Sequence, residues 1–270
     1  MALPVSVQVC TLNEESNIGA CLDSILANDP EDVVVVDGGS SDGTTRIALE
    51  RGVRVIEAGP IGLAAQRREG VMTSHSQYTA FVDADDRLEP NWLETMISDL
   101  ESGGYAALQS LLRVPPSGSW WSQAWDRYFR SAIAPCPDVI MVGRPALFKT
   151  SALLALPQTS GMVIEDTEMS QHFVLLGLRM GIGSAISWRL CPTQIGENFA
   201  KWSGYGRGYR QFVHQFPERR KAIAKHILYT VPVGRTMPSV LRGHLSQPLF
   251  GVMMSANMVR GWILESCKRP

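Results

Sequence analysis

The chain has 270 residues, 45% hydrophobic and 19% charged, and its 25 Lys and Arg against 26 Asp and Glu leave a formal charge of −1. These values exclude a disordered chain, a collagen-like repeat and a small disulfide scaffold, and they leave ample apolar material for one large α/β domain or two small ones. The near-zero total hides an asymmetry: residues 1–100 carry 17 acidic and 6 basic side chains (−11), residues 101–200 carry 7 of each, and residues 201–270 carry 2 acidic and 12 basic ones (+10).

In chain order, Val5 to Val9 predicts a strand, and Glu15 to Ala27 predicts a helix because Ile18, Cys21, Leu22, Ile25 and Leu26 recur at helical spacing. Val33 to Val36 is a continuous β-branched run, suited to a parallel strand buried on both faces. A helix over Asp42 to Arg51, a strand over Val53 to Glu57, a helix over Leu63 to Thr73, a strand over Tyr78 to Val82 and a helix over Asn91 to Leu100 follow. Four successive β-then-α repeats predict a doubly wound, mostly parallel sheet. After Gly103-Gly104 the rhythm loosens into a strand over Ala106 to Leu112, the turn signal Pro115-Pro116-Ser117-Gly118, a segment with Trp120, Trp121 and Trp125, a breaker at Pro135-Cys136-Pro137, and an amphipathic helix over Glu165 to Leu176.

Cys10, Cys21, Cys136, Cys191 and Cys267 form no CxxC pair, so neither a zinc site nor a disulfide framework is expected, and a reducing cytosol suits them. The start MALPVSVQV has neither the basic nor the long apolar region of a signal peptide. The charge-free run Gly243 to Val259 is shorter than the roughly 20 apolar residues of a spanning helix, so no transmembrane segment is expected.

Ligands of doubly wound sheets bind beyond the carboxyl ends of the strands. Those positions are polar here: Cys10-Thr11-Leu12-Asn13-Glu14-Glu15 after the first strand, Asp37-Gly38-Gly39-Ser40-Ser41-Asp42-Gly43 after the second, and Asp83-Ala84-Asp85-Asp86 after the fourth. Carboxylates crowded at one strand end repel one another unless a cation neutralises them, and Mg²⁺ or Mn²⁺ prefers oxygen ligands. A magnesium site usually has one or two carboxylates plus substrate phosphates, which suits a nucleoside diphosphate; a solvated acidic turn is the other reading. The second loop matches neither GxGxxG nor GxxxxGK[ST]. Its glycines serve a β-to-α turn with Asp42 as helix cap, leaving Asp37 to accept a hydrogen bond from a base or ribose.

TLNEE, VVVVDGGSSDGT, GLAAQRREG and FVDADD, in that order, resemble the nucleotide-binding half of the GT-A glycosyltransferases of family 2. MVGRPALFKTSAL is similar to the strand before that family's acceptor site, IEDTEMSQHFVLLGLRMG to its Glu-Asp helix, and KWSGYGRG to its late aromatic-basic motif, so the resemblance spans residues 4 to 210. It implies an α/β, Rossmann-like GT-A fold in three parts: a nucleotide-sugar-binding half over 1–105, an acceptor and catalytic-base half over 106–200, and a basic, mainly helical extension over 201–270. It also implies an inverting transferase that uses Mn²⁺ or Mg²⁺ to move a sugar from a nucleotide-sugar donor to a saccharide or lipid-linked saccharide acceptor, as in bacterial cell-surface polysaccharide biosynthesis. Carried over by residue, it assigns Thr11, Leu12 and Glu14 to base and ribose, Asp37 to a further nucleotide contact and Arg67 to the nucleotide or its phosphates. Asp83 with Ala84 would meet ribose and metal, Asp85 would be the principal metal ligand, and of the acidic pair Glu165 and Asp166, Asp166 would be the general base. Cys10 and Leu12 replace the family's usual Pro and aromatic, and Gln66-Arg67-Arg68 stands for Ala-Arg-Asn. The Gln-x-x-Arg-Trp motif of processive synthases is absent, so a single addition is expected.

Two features fall outside those motifs. Trp120, Trp121 and Trp125 could floor an acceptor site, but their spacing suits a core helix better. The basic tail interleaves Lys201, Arg207, Arg210, Arg219, Arg220, Lys221 and Lys225 with Trp202, Tyr205, Tyr209, Phe212 and Phe216, a pattern that favours an anionic membrane surface over nucleic acid. The apolar run from Leu249 to Leu264 fits an interfacial helix or one that packs in a core or oligomer. A cytoplasmic enzyme, peripheral at the inner face of the plasma membrane, is the resulting expectation. A nucleotidyltransferase acting on a sugar phosphate and a non-catalytic nucleotide-sugar-binding scaffold are the alternatives.

Overall fold

The β-branched runs of the first hundred residues are strands in the computed structural model, which describes residues 2–157, 161, 163–229 and 246–266. Cys267, the side chain of Lys225 and residues 243–245 of the charge-free run lie outside the described residues. In chain order the elements are β1 (Leu3–Thr11), α1 (Ile18–Leu26), β2 (Pro30–Asp37), α2 (Thr44–Glu50), β3 (Arg54–Glu57), α3 (Leu63–Met72), β4 (Tyr78–Asp83), β5 (Asp86–Leu88), α4 (Trp92–Gly103) and β6 (Ala107–Arg113). They continue with α5 (Trp120–Ala132), β7 (Ala146–Lys149), α6 (Thr150–Leu154), α7 (Glu165–Leu175), β8 (Met180–Arg189), α8 (Ile195–Gln215), a 3-10 turn (Pro217–Arg219), α9 (Arg220–Tyr229) and α10 (Ser246–Ser266). The chain forms two compact units, one from Met1–Arg113, Ile133–Gly161 and Glu165–Leu190, the other from Val114–Ala132, Met162–Ile164 and Cys191–Pro270. The boundary drawn from sequence at residue 201 falls inside the continuous helix α8.

The first unit holds an eight-stranded sheet in the order β3-β2-β1-β4-β7-β6-β8-β5. β3, β2, β1 and β4 are mutually parallel, as the β-then-α repeats require. β7 runs antiparallel to both of its neighbours, β6 pairs in parallel with β8, and β5 is antiparallel to β8. Alternate side chains of the strands sort to opposite faces. Val5, Val7 and Val9 join Val33, Val35, Ala80 and Val82 against the apolar faces of α1, α2 and α4. Phe81, Ala107, Ala146 and Phe148 point the other way, onto Val71 of α3, Leu153 of α6 and Met169 and Phe173 of α7. Each large side chain buried in these layers contributes roughly 1.5–3 kcal/mol before entropy is counted.

One polar residue on that second face positions the site. Gln8, buried on β1, donates from its amide nitrogen to the carbonyls of Gln66 (3.0 Å) and Arg67 (2.9 Å), pinning α3 to the sheet. Gly70 makes the approach feasible, since a Cβ there would overlap the Gln8 amide. Arg67 is thereby held over the Phe81 ring, its guanidinium carbon 5.4 Å from the centroid.

In the second unit the tryptophan segment is the helix α5, in which Trp125 and Phe129 are core and Trp120, Trp121 and Tyr128 are half-buried. Trp125 is 3% exposed; its ring lies 5.4 Å from that of Phe129, 6.0 Å from Trp202 on α8 and 5.0 Å from Phe250 on α10, and its indole N–H donates to Asn198 at 2.8 Å. The helices α8 and α10 meet through glycines: a Cβ on Gly206 would overlap the Met258 carbonyl, and one on Gly261 the Ser203 carbonyl. Among the described residues no helix is long and apolar enough to cross a membrane.

Candidate active site

Parallel pairing brings the three polar strand ends side by side: in register, Thr11 faces Asp37, and Cys10 faces Asp83. Asp37 is 3% exposed and its oxygens are fully occupied. Oδ1 accepts from the hydroxyls of Thr11 (3.0 Å) and Ser40 (2.5 Å), and Oδ2 accepts from the backbone N–H groups of Gly39 (2.9 Å) and Ser40 (2.7 Å). Burial disfavours this carboxylate, but the hydrogen bonds from Ser40, Thr11 and Gly39 outweigh it and hold the carboxyl below its ordinary value. Asp37 therefore organises the loop, and a base or ribose would reach it by displacing one of these donors. Leu12 stands 57% exposed at the same edge. Glu14 is half-buried, and burial first, then Asp85, Asp42 and Asp83, raise its carboxyl against the opposing hydrogen bond from Asn17.

The fourth strand end is the centre of a chain of alternating charges running Asp166, Arg144, Glu165, Arg67, Asp83, Arg189, Asp86. The Arg144 guanidinium pairs with Glu165, stands 3.6 Å from Asp166 and reaches Asp83 Oδ1 at 3.4 Å. Arg67 bridges the same two acids, 3.2 Å from Asp83 Oδ1 and 3.4 Å from Glu165. Arg189 takes Asp83 Oδ2 at 2.8 Å and grips both oxygens of Asp86 at 2.6 and 2.7 Å. Ala84 is buried, and its carbonyl accepts from Arg87 at 3.0 Å. Asp85, by contrast, makes no ion pair among the described residues, although one of its oxygens lies within 4.8 Å of oxygens of Asp83 and Asp86.

Three residues of this network went unassigned from sequence. Asp86 and Arg189 meet because β5 and β8 pair antiparallel with these two in register, and both strands were unanticipated. Arg144 stood inside a recognised motif, just before β7, yet nothing in its local pattern marks it as a partner of residues 61 positions upstream. The excess of acids at the strand ends was the available signal, since buried carboxylates call for guanidinium partners. Burial raises the Asp86 carboxyl to about 7 against the attraction of Arg189. Replacing Arg189 by Met strands Asp86 and is expected to cost about 3–5 kcal/mol in a urea melt. Because the folded state keeps the Asp86 proton to higher pH than the unfolded one, the deficit should shrink at mildly acidic pH and grow at mildly alkaline pH. A pH-independent, sub-kilocalorie effect would mean that the pair is immaterial to the fold.

The arrangement leaves complementary unmet demands. Arg67 Nε and Nη1 and Arg144 Nη1 are buried without hydrogen-bond partners, a costly condition that oxygens of an anionic ligand would relieve. Both guanidiniums line an open pocket of about 550 Å³ with Glu165, over Phe81 and between Val71, Leu153 and Met169. On the other side, five carboxylates (Asp83, Asp85, Asp86, Glu165, Asp166) outnumber the three guanidiniums that pair with them. A hard divalent cation fits this donor set: one unpaired carboxylate, Asp85, beside a second acid and open to substrate phosphates.

A sheet of this topology with its polar loops at the parallel strand ends is the GT-A fold, and comparison with solved structures shows the same. The mannosyltransferase PcManGT from Pyrobaculum calidifontis, solved with GDP-Man and Mn²⁺, aligns over 100% of this chain and 77% of its own with a TM-score of 0.63 at 16% identity. Glucosyl-3-phosphoglycerate synthase from Mycobacterium tuberculosis, solved with Mn²⁺ and UDP-glucose, aligns over 70% of this chain and 71% of its own with a TM-score of 0.53 at 21% identity. The profile of Glycosyl transferase family 2 matches residues 6–155, and the chain belongs to that family. Among curated relatives, glycosyltransferase AglE of Haloferax volcanii is 33% identical over 135 residues, 46% of this chain and 44% of that protein. Glycosyltransferase GlyA of Streptococcus pneumoniae is 32% identical over 99 residues, 34% of this chain and 14% of that protein. The match thus spans less than half the length of either relative.

Proposed function

We propose that the protein is an inverting, metal-dependent glycosyltransferase that moves a sugar from a nucleoside-diphosphate donor to an acceptor hydroxyl. The observation that carries the proposal is the paired set of unmet demands around Asp83: an unpaired carboxylate at Asp85 and unsatisfied, buried guanidinium donors on Arg67 and Arg144. A metal diphosphate offers the cation to the first and anionic oxygens to the second. Thr11, Leu12, Glu14 and Asp37 form the base and ribose edge, Asp83 and Ala84 the ribose side, and Asp85 is the principal metal ligand. When bound there, the cation supplies Lewis-acid stabilisation of the departing diphosphate. Asp166 removes the acceptor proton. A base on the side opposite the leaving group enforces in-line attack and hence inversion.

The acceptor in this proposal is a lipid-linked saccharide of bacterial cell-surface polysaccharide synthesis, met at the cytoplasmic face of the membrane. The charge asymmetry between acidic front and basic tail supports it. The donor's base is tested by thermal shift with UDP and GDP, each with and without Mn²⁺, since PcManGT was solved with GDP-Man and the synthase with UDP-glucose. The correct diphosphate with Mn²⁺ at 100 times its Kd should stabilise the fold by about 2.7 kcal/mol, and neither component alone should reach that. No shift with any metal diphosphate, or release of pyrophosphate from a triphosphate, would count against sugar transfer.

A further inference from the structure

The helix α10 carries apolar residues on both its inner and its outer side. Its inner side is spent on α8, where Gly206 and Gly261 bring the two backbones together. Its outer side exposes Leu249, Val252, Ala256, Val259 and Ile263, which follow one another at intervals of three and four residues and so form a single stripe along the helix. Single exposed hydrophobes are ordinary, but a continuous stripe from Leu249 to Ile263 marks a surface that is covered in use. One charge, Arg260, lies within this outer face, a long cation able to extend from an apolar contact to a polar layer.

The C-terminal end of the stripe adjoins a basic recess. Arg210, His214, Arg220, Trp262 and Ser266 line an open pocket of about 770 Å³. The Arg210 guanidinium lies 5.9 Å from the Trp262 ring centroid and donates to the Ser266 hydroxyl at 2.9 Å. Arg210, Arg220, Lys221 and Arg260 make no ion pair among the described residues, and the acids of the whole 201–270 segment are only Glu218 and Glu265.

We infer that α10 and this recess form an in-plane docking surface for an anionic lipid bilayer, with the stripe entering the acyl boundary and the recess taking a lipid phosphate. The charge selects this occupant. A second copy docked through the same face, as in a two-fold dimer, would set Arg260 and the arginine recess against surfaces of the same sign, and a nucleic acid has no use for five aliphatic side chains in a row. An anionic bilayer matches both parts at once, apolar below and negative at the headgroups. The inference specifies the membrane part of the proposed function, but its test uses neither donor nor acceptor, so it stands or falls separately from sugar transfer.

The full chain is mixed with vesicles of phosphatidylcholine alone, or of phosphatidylcholine and phosphatidylglycerol in about equal parts, and the bound fraction is read by sedimentation. Binding to the anionic vesicles should exceed binding to the neutral ones by at least about tenfold and should weaken with added salt. Ile263→Asp, at a site 54% exposed where the far-UV spectrum is expected to stay that of the parent, should lower it at least about tenfold, and Arg220→Ala about fivefold. Equal partition onto both vesicles, or none onto either, overturns the inference. So does a dimer in sedimentation velocity that Ile263→Asp splits while vesicle binding is absent, which would assign the stripe to a contact between copies.

Discussion

Asp85→Ala is expected to lower metal-dependent sugar transfer by about three powers of ten, the scale of several kcal/mol of Lewis-acid stabilisation, while leaving the fold intact. The two halves of this expectation come from one feature. Asp83 is engaged on both oxygens by Arg67, Arg144 and Arg189, and Asp86 is fully buried in the grip of Arg189, so only Asp85 has a carboxylate to offer. In the free protein that same carboxylate adds to the forces raising both Glu14 and Asp86 and, in the other direction, attracts the buried Arg189, so its charge is partly offset. Its removal takes away the ligand while leaving the pairs of Asp83 and Asp86 with Arg189 in place. The melting temperature without metal should change little, and the Mn²⁺-dependent increment with a nucleoside diphosphate should vanish. Full transfer by the variant with the increment intact would move the metal to Asp83, which would then have to exchange a guanidinium for the cation.

The acidic half of this site was legible in the sequence, and the basic half was not. Thr11, Asp37 and Asp83 are the last residues of β1, β2 and β4, Glu14 lies three residues past Thr11, and in a parallel sheet such strand ends converge by topology alone. Arg189 is tied to Asp86 by the pairing of β5 with β8, two strands that local pattern conceals. β5 has three residues, too few for any periodicity. β8 is interrupted by Gly181 and Gly183, where a Cβ would press on Tyr105 and Leu108, so the packing that forms the strand also removes the apolar alternation that would announce it. The charge reading shifts accordingly. An excess of 11 acids over residues 1–100 suggests a large demand for cations, yet at the fourth strand end Arg67, Arg144 and Arg189 pair with Asp83 and Asp86 and leave the demand there focused on Asp85. At Asp37, Ser40 and Gly39, in the turn after β2, supply donors close enough to hold both of its oxygens, so a nucleotide contact there has to displace one of them.

Asp166→Asn should leave donor binding intact and lower transfer by about 10²–10⁴-fold, the range for loss of a general base. The neighbouring Glu165 cannot take that role without consequence. It is 5% exposed and shared by Arg67 and Arg144, so protonating it would strand two buried guanidiniums. Asp166 sits on the same first turn of α7 with its side chain 29% exposed, 3.6 Å from Arg144, and one oxygen on its neighbour's N–H, Thr167, at 2.7 Å. An amide oxygen preserves that last hydrogen bond, so the substitution removes the proton acceptor and the charge 3.6 Å from Arg144, whose closer partner Glu165 remains. The thermal shift with Mn²⁺ and nucleoside diphosphate and the donor KM should both match the parent protein, with the whole effect in kcat. Glu165→Gln is the informative control, since loss of charge there frees Arg67 and Arg144 and should show as weakened donor binding and a lower melting temperature. If Asp166→Asn transfers at the parent rate, the acceptor proton leaves by another group; if it loses donor binding together with kcat, Asp166 holds Arg144 in place for the diphosphate and is not the base.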